Sequence, residues 1–271
     1  MTRISINNMT YAVERTGNGT PIVLLHGFTG SKANWRHLIP TLAQAHTVIT
    51  IDLPGHGDTD KPDDPHRYRM EYVSSDVVKL ICAMTTSPIA LLGYSMGGRL
   101  AIYIAAHYPH EINRLILESA SPGLLTEEQR LQRQQSDEQL AERIERDGIT
   151  SFVDYWENIA LFASQKSLPE STQRELHEQR LNNSPTGLAN SLRGMGTGIQ
   201  PTLWGKLSAI HQPTLLITGE LDTKFHAIAH QMKKEMPDAQ HISVPRAGHT
   251  IHLEQPDAYY QHVLEFCDSE S

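Results

Sequence analysis

Five short apolar runs, each closed by turn residues, narrow the possible folds of this chain more than any other feature. They are Ile22-Val23-Leu24-Leu25, Val48-Ile49-Thr50-Ile51, Ile89-Ala90-Leu91-Leu92, Leu115-Ile116-Leu117 and Leu215-Leu216-Ile217-Thr218. A strand with one wet face alternates apolar and polar residues. A continuous apolar run of this length instead suits a strand buried on both faces, as in a parallel sheet. Helical patterns lie between the runs, for example at 72–84 and 99–107, so the expected class is α/β with helices on both faces. Residues 4–6 and 11–13, flanking Asn7-Asn8, read as an antiparallel hairpin at the sheet edge.

The alternation stops between about Pro122 and Trp204. Residues 126–146 are rich in Gln, Glu and Arg, with too few apolar residues for a buried strand, and an aromatic and leucine patch follows at 152–162. This stretch reads as a helical cap inserted into the fold. The expected organisation is a core of 1–121 and 204–271 with a cap at 122–203. At 271 residues the chain is long enough to bury a large core without disulfides or metals.

Composition excludes several functions. A formal net charge of −8 argues against a nucleic-acid binder, which would carry a basic stripe. It also means that an anionic substrate would need a local cluster of cations. Two cysteines, Cys82 and Cys267, make no disulfide framework. The stretch Met1 to Asn7 lacks the apolar segment of a signal peptide, and no run approaches the ~18 apolar residues of a membrane helix. A cytoplasmic protein without a membrane or nucleic-acid partner is expected, as a monomer or small homo-oligomer.

The chemistry centres on Leu91-Leu92-Gly93-Tyr94-Ser95-Met96-Gly97-Gly98-Arg99. This is G-x-S-x-G with a strand before it and a helix after it, the context that lifts a nucleophilic serine clear of a tight turn. A serine needs a base, and the base an orienting acid. His249, in Arg246-Ala247-Gly248-His249, follows a strand at 241–244. Asp222, in Thr218-Gly219-Glu220-Leu221-Asp222, follows the strand at 215–218 on the same sheet edge. The order Ser95, Asp222, His249 is that of the α/β-hydrolase triad. Glu118 and Glu220 are rival acids, and His252 and His26 rival bases. Backbone N–H groups of Phe28, in His26-Gly27-Phe28-Thr29-Gly30, and of Met96 are the expected oxyanion-hole pair. His226 and His230 have helical i, i+4 spacing but no glutamate of a zinc protease beside them. The glycines at 194–198 follow no strand, so they are not a phosphate loop.

Taken together, His26-Gly27-Phe28, Asp52-Leu53-Pro54-Gly55-His56-Gly57, the Gly93–Gly97 motif, Asp222 and His249 resemble the α/β-hydrolase family along the whole chain. Fold alone does not fix the reaction. A narrower resemblance is carried by the motif through Arg99, by Gly219-Glu220-Leu221-Asp222-Thr223-Lys224-Phe225 and by Pro245-Arg246-Ala247-Gly248-His249-Thr250-Ile251-His252. These are similar to the 2-succinyl-6-hydroxy-2,4-cyclohexadiene-1-carboxylate (SHCHC) synthase family of menaquinone biosynthesis. Its members eliminate pyruvate from 2-succinyl-5-enolpyruvyl-6-hydroxy-3-cyclohexene-1-carboxylate and hydrolyse nothing.

The resemblance implies a polycarboxylate substrate, no metal or organic cofactor, and proton abstraction by the triad. Arg99 lies four residues beyond Ser95, one helical turn along, where a guanidinium would serve a carboxylate far better than an apolar ester. Arg133 and Arg180 match substrate-binding arginines, Trp156 a pocket aromatic, and Tyr94 a residue beside the serine. Solvated helix faces are the plainer reading of Arg133 and Arg180, and packing of the elbow that of Tyr94. Two rivals remain: a carboxylesterase or C–C bond hydrolase with Ser95 as nucleophile, and a non-catalytic small-molecule-binding protein. The second is disfavoured because every triad member is present.

Overall fold

A computed structural model describes residues 2–269. Met1, at the start of the expected core segment 1–121, and Glu270 and Ser271, at the end of 204–271, lie outside the described residues. The chain opens with a hairpin of β1 (Thr2–Ile6) and β2 (Met9–Thr16), in which Ile6 pairs with Met9. Asn7 and Asn8 between them have φ of 48° and 61°, as a type I′ turn requires, and asparagine tolerates this region better than most side chains. There follow β3 (Thr20–Leu25), α1 (Ile39–Leu42), β4 (His46–Ile51), α2 (Met70–Met84), β5 (Ile89–Tyr94), α3 (Met96–His107) and β6 (Ile112–Glu118). The sheet is resumed by β7 (Thr214–Gly219), α7 (Thr223–Glu235), β8 (Ala239–Val244), α8 (Ile251–Glu254) and α9 (Pro256–Asp268).

Strand order in the single sheet is β1-β2-β4-β3-β5-β6-β7-β8. The pairs β1·β2 and β2·β4 are antiparallel; every other pair is parallel. The five apolar runs are β3 to β7. The reason they are continuous is visible in β3: Val23 and Leu25 point into the core beneath α2 and α3, while Ile22 and Leu24 point to the other face, against Trp35, Leu38 and the α9 residues Tyr259 and Val263. Each parity has its own dry core, so neither can be polar. The fold is thus α/β-hydrolase-like, a mostly parallel sheet with helices on both faces.

Between β6 and β7 there is no strand. The segment holds α4 (Glu127–Trp156), α5 (Glu170–Leu181) and α6 (Pro185–Met195), with a 3-10 stretch (Ala160–Ser167) after α4. Thr126 starts α4 with a capping box: its hydroxyl accepts the Gln129 N–H while the Gln129 amide accepts the Thr126 N–H. At Gly148 the backbone of α4 turns out of the helical region, with φ 77° and ψ 175°. A Cβ there would meet nothing within 4 Å, so glycine is needed for the dihedral and not for space. The helices share a small core of their own, including Ile144, Phe152 and Leu188, against which Phe28 of the sheet packs. The polar residues that made α4 hard to read serve ion pairs, with Arg193 of α6 bridging Glu138 and Glu145. Where the segment leaves and rejoins the core, Leu203 N–H donates to Pro122 O at 2.7 Å and Trp204 Nε1 to Gly123 O at 3.0 Å.

Among the described residues no helix is long and apolar enough to cross a membrane. Nor, among the described residues, is any group of three or more His, Cys, Asp or Glu side chains gathered as a metal would need. His226 and His230 lie exposed on α7.

Candidate active site

Ser95 is the single residue between the end of β5 and the start of α3, and its φ of 49° and ψ of −104° lie where non-glycine residues are strained by about 1–3 kcal/mol. The turn closes only because its flanks are glycine. A Cβ on Gly93 would stand 2.4 Å from Gly97 O, and one on Gly97 2.2 Å from Leu25 O. The strained turn presents the Ser95 hydroxyl above the carboxyl edge of the sheet.

His249 reaches that hydroxyl from the loop after β8. Its Nε2 is 3.1 Å from Ser95 Oγ and its Nδ1 2.7 Å from Asp222 Oδ2. A carboxylate only accepts, so Nδ1 carries the proton and Nε2 is the lone pair that faces the serine. Asp222 is held by its other oxygen as well, since Oδ1 accepts the Phe225 N–H as the N-cap of α7. The histidine loop is held on both sides by one carboxylate, Glu254, which accepts the N–H groups of Gly248 at 2.6 Å and Thr250 at 3.1 Å. The structure therefore brings Ser95, Asp222 and His249 into one hydrogen-bonded chain.

The rivals are committed elsewhere. Glu118 is fully buried and receives His252, at 2.8 and 2.9 Å from Nδ1, together with that residue's backbone N–H. Glu220 accepts the Arg246 N–H. His26 donates from Nδ1 to Gly27 O and accepts the Leu53 N–H at Nε2, and burial holds its pKa below the usual imidazole value. It is a neutral turn histidine.

Phe28 and Met96 border the cavity above Ser95, and among the described residues neither backbone N–H donates to a protein acceptor. Gly27 allows the Phe28 loop to come this close, since a Cβ on it would stand 2.6 Å from the Tyr94 ring. The loop after β4 is held by Asp52, which accepts the Lys32 ammonium at 2.8 Å and the N–H groups of Lys32 and Asp58.

Above Ser95 lies a cavity of about 440 Å³. Arg99 enters it one turn beyond the serine, donating from one guanidinium nitrogen to Met195 O at 2.7 Å and Gln200 Oε1 at 2.9 Å. Burial and then the charge of Arg133 lower its pKa to about 10, so it stays cationic at neutral pH. Arg133, from α4, also borders the cavity, with its Nε 2.7 Å from Asp137. Trp156 contributes a wall, and its indole N–H is buried without a partner. Its ring packs against Phe28, Phe152 and Phe162.

Two expected residues stand differently. Tyr94 borders the cavity, but its hydroxyl is engaged by Thr250 Oγ1 at 2.8 Å, and its ring lies 5.6 Å from that of His249. Arg180 does not reach this cavity. It is buried behind Phe162, 5.2 Å over that ring, donating to Glu157 Oε1 at 3.1 Å and to Gln165 Oε1 at 2.9 Å. A buried guanidinium takes a carboxylate where it can, and here that carboxylate is the protein's own.

Sequence reasoning missed Gln129 and Lys224, which both border the cavity. Gln129 was hidden by its role in the α4 capping box. Lys224 had a signal: it stands two residues beyond Asp222, in the first turn of the helix that Asp222 caps.

The triad geometry on this sheet defines an α/β hydrolase fold, and residues 20–256 match the family of that description; the chain belongs to it. A Bacillus subtilis (strain 168) protein to which 2-succinyl-6-hydroxy-2,4-cyclohexadiene-1-carboxylate synthase activity is provisionally assigned is 44% identical over 265 residues, 97% of this chain and 96% of that one. The 2-succinyl-6-hydroxy-2,4-cyclohexadiene-1-carboxylate synthase of Escherichia coli O1:K1 / APEC is 33% identical over 240 residues, 87% of this chain and 88% of its own. The solved structure of MenH from S. aureus superposes with a TM-score of 0.91 at 37% identity, covering 94% of this chain and 97% of that one.

Proposed function

We propose that this chain is a carbon–oxygen lyase of menaquinone biosynthesis. It eliminates pyruvate from 2-succinyl-5-enolpyruvyl-6-hydroxy-3-cyclohexene-1-carboxylate to give 2-succinyl-6-hydroxy-2,4-cyclohexadiene-1-carboxylate. The observation that carries the reading is the charge of the cavity: in a chain of net charge −8, no Asp or Glu among the described residues borders it, and Arg99 meets it with only neutral acceptors. Such a floor suits a substrate that brings its own carboxylates. The similarity to the synthases named above over nearly the whole chain supports the same reaction.

The proton to be removed is on ring carbon 2, next to the succinyl ketone. Ser95, its hydroxyl proton drawn to His249 Nε2, takes that proton, and Asp222 stabilises the imidazolium. The negative charge spreads onto the ketone oxygen, which accepts from the backbone N–H groups of Phe28 and Met96 in this scheme. The electron pair forms the 2,3 double bond, the 3,4 double bond moves to 4,5, and the bond from carbon 5 to the ether oxygen breaks. The enolate of pyruvate leaves and is protonated at its methylene carbon. Ser95 forms no acyl-enzyme in this scheme.

Arg99 and Arg133 bind substrate carboxylates, and the indole N–H of Trp156 supplies a further donor. Arg180 joins them only by exchanging Glu157 for a substrate carboxylate. The helical segment 122–203 covers the core, 1–121 and 204–271, as a cap. Work in the cytoplasm, as a monomer or small homo-oligomer, belongs to the same reading. The test is pyruvate release from the enolpyruvyl precursor beside a panel of p-nitrophenyl esters. Release at enzymatic rates with weak ester turnover supports the lyase, and the reverse pattern makes Ser95 a nucleophile.

A further inference from the structure

Three Lys or Arg side chains border the 440 Å³ cavity: Arg99 from α3, Arg133 from α4 and Lys224 from α7. Lys224 is exposed, its ammonium 5.5 Å over the ring of Phe225, and among the described residues it makes no ion pair. Its position is unfavourable for the helix itself. A cation in the first turn opposes the macrodipole, at a cost of about 0.3–1 kcal/mol.

The precursor named above carries three carboxylates: one on ring carbon 1, one at the end of the succinyl chain, and one on the enolpyruvyl group. Arg99 and Arg133, which borders the cavity and gives only its Nε to Asp137 among the described residues, account for two. Arg180 is turned away behind Phe162 and paired with Glu157. We propose that Lys224 binds the carboxylate of the enolpyruvyl leaving group, an assignment that rests on the lyase reading.

Two further observations place the leaving group there. Phe225, next to Lys224 in the chain, packs its ring on the His249 imidazole at 4.6 Å, so Lys224 stands on the side of the residue that holds the abstracted proton. A departing enolate that accepts that proton belongs on this side. Lys224 is also the exposed member of the three cations, at the point where a three-carbon product has solvent within reach. A lysine ammonium is a flexible, strongly hydrated point charge, and it releases a carboxylate to water more readily than a bidentate arginine does.

The test compares two products as inhibitors of the purified full chain. In Lys224→Gln, the inhibition constant of pyruvate should rise about 5- to 10-fold, and KM for the precursor should rise with it. The inhibition constant of the dicarboxylate ring product should stay within about twofold, and Lys224→Arg should restore most of the pyruvate affinity. Equal thermal midpoints for the variants and the wild type establish that the fold is intact. The subsite is overturned if pyruvate fails to inhibit the wild type, if its inhibition constant is unchanged in Lys224→Gln, or if both products weaken alike. Wild-type enzyme that releases no pyruvate from the precursor overturns the lyase reading itself. That result is seen before any variant is made.

Discussion

Phe162 separates the guanidinium of Arg180 from the cavity: its ring forms part of the cavity wall, and Arg180 lies 5.2 Å over it without bordering the cavity itself. Arg180 is held there by Glu157 at 3.1 Å and Gln165 at 2.9 Å. If a substrate carboxylate competes for this guanidinium, Glu157 is its competitor. Glu157→Gln should then lower KM for the precursor several-fold, since a partly exposed pair of this kind is worth about 1 kcal/mol. Steady-state kinetics with a thermal melt distinguish the alternatives. A lower midpoint with KM unchanged makes Arg180 a structural pin of the helical segment between β6 and β7.

Asp222 and Glu118 are separated by an experiment on two amides. Asp222→Asn keeps an oxygen to cap α7, yet loses the carboxylate that fixes the tautomer and charge of His249. It should lower kcat by about 10⁴-fold with little change in thermal midpoint. Glu118→Gln leaves the buried His252 without its carboxylate, so it should lower the midpoint and spare most of the turnover. Ser95→Ala and His249→Ala should each match or exceed the loss in Asp222→Asn, because the three act as a unit. A worse kcat in Glu118→Gln than in Asp222→Asn would mean that the acid is Glu118.

The sheet was legible because its strands are buried on both faces, so β3 to β7 appear as unbroken apolar runs. The elbow was legible because sterics leave only glycine at 93 and 97. The resemblance to known motifs implies substrate contacts for Arg99, Arg133 and Arg180 alike, and only the folded chain separates them. In an amphipathic helix, one turn decides whether an arginine meets a cavity or an acidic neighbour, and Arg180 found Glu157, 23 positions away in the chain. Gln129 stayed hidden, and the signal of Lys224 beside Asp222 stayed weak, for a related reason. Each sits in the first turn of a helix, where capping or a solvated face already explains a polar residue.

Stability should fall with acid through two buried histidines beside the site. His26 and His56 are fully buried; burial lowers both pKa values, that of His56 to about 3. An unfolded histidine titrates near 6.5. Between that value and the folded pKa the unfolded chain binds protons that the native chain refuses, so stability is intact above about pH 6.5 and declines as the pH drops toward 3. Within that window His56 contributes a slope of about 1.4 kcal/mol per pH unit, and the lowered pKa of His26 acts in the same direction. Chemical denaturation at pH 7, 6, 5 and 4 reads this directly. His56→Gln should flatten the decline relative to wild type, and an equally steep decline would assign the acid sensitivity to other groups.

Arg99 provides the sharpest test of the lyase against an esterase. Its guanidinium is anchored through one nitrogen by Met195 O and Gln200 Oε1, which leaves the rest of the fork for a substrate carboxylate. Arg99→Ala should therefore lower kcat/KM for the precursor by the on-the-order-of 2–5 kcal/mol lost when a buried charge pair is broken. Lysine should rescue only in part, because one ammonium cannot hold both protein acceptors and present a fork to the substrate. Gln200 offers a subtler variant. It is buried, and Gln200→Glu would place a carboxylate against Arg99 with almost no change of shape. That internal anion should compete with the substrate, raising KM for the precursor while leaving the thermal midpoint near that of wild type. A small neutral ester has no carboxylate to lose, so the ratio of precursor turnover to ester turnover should collapse in Arg99→Ala and fall in Gln200→Glu. If both activities decline together, or neither does, Arg99 is a packing residue and the charge of the cavity no longer argues for the lyase.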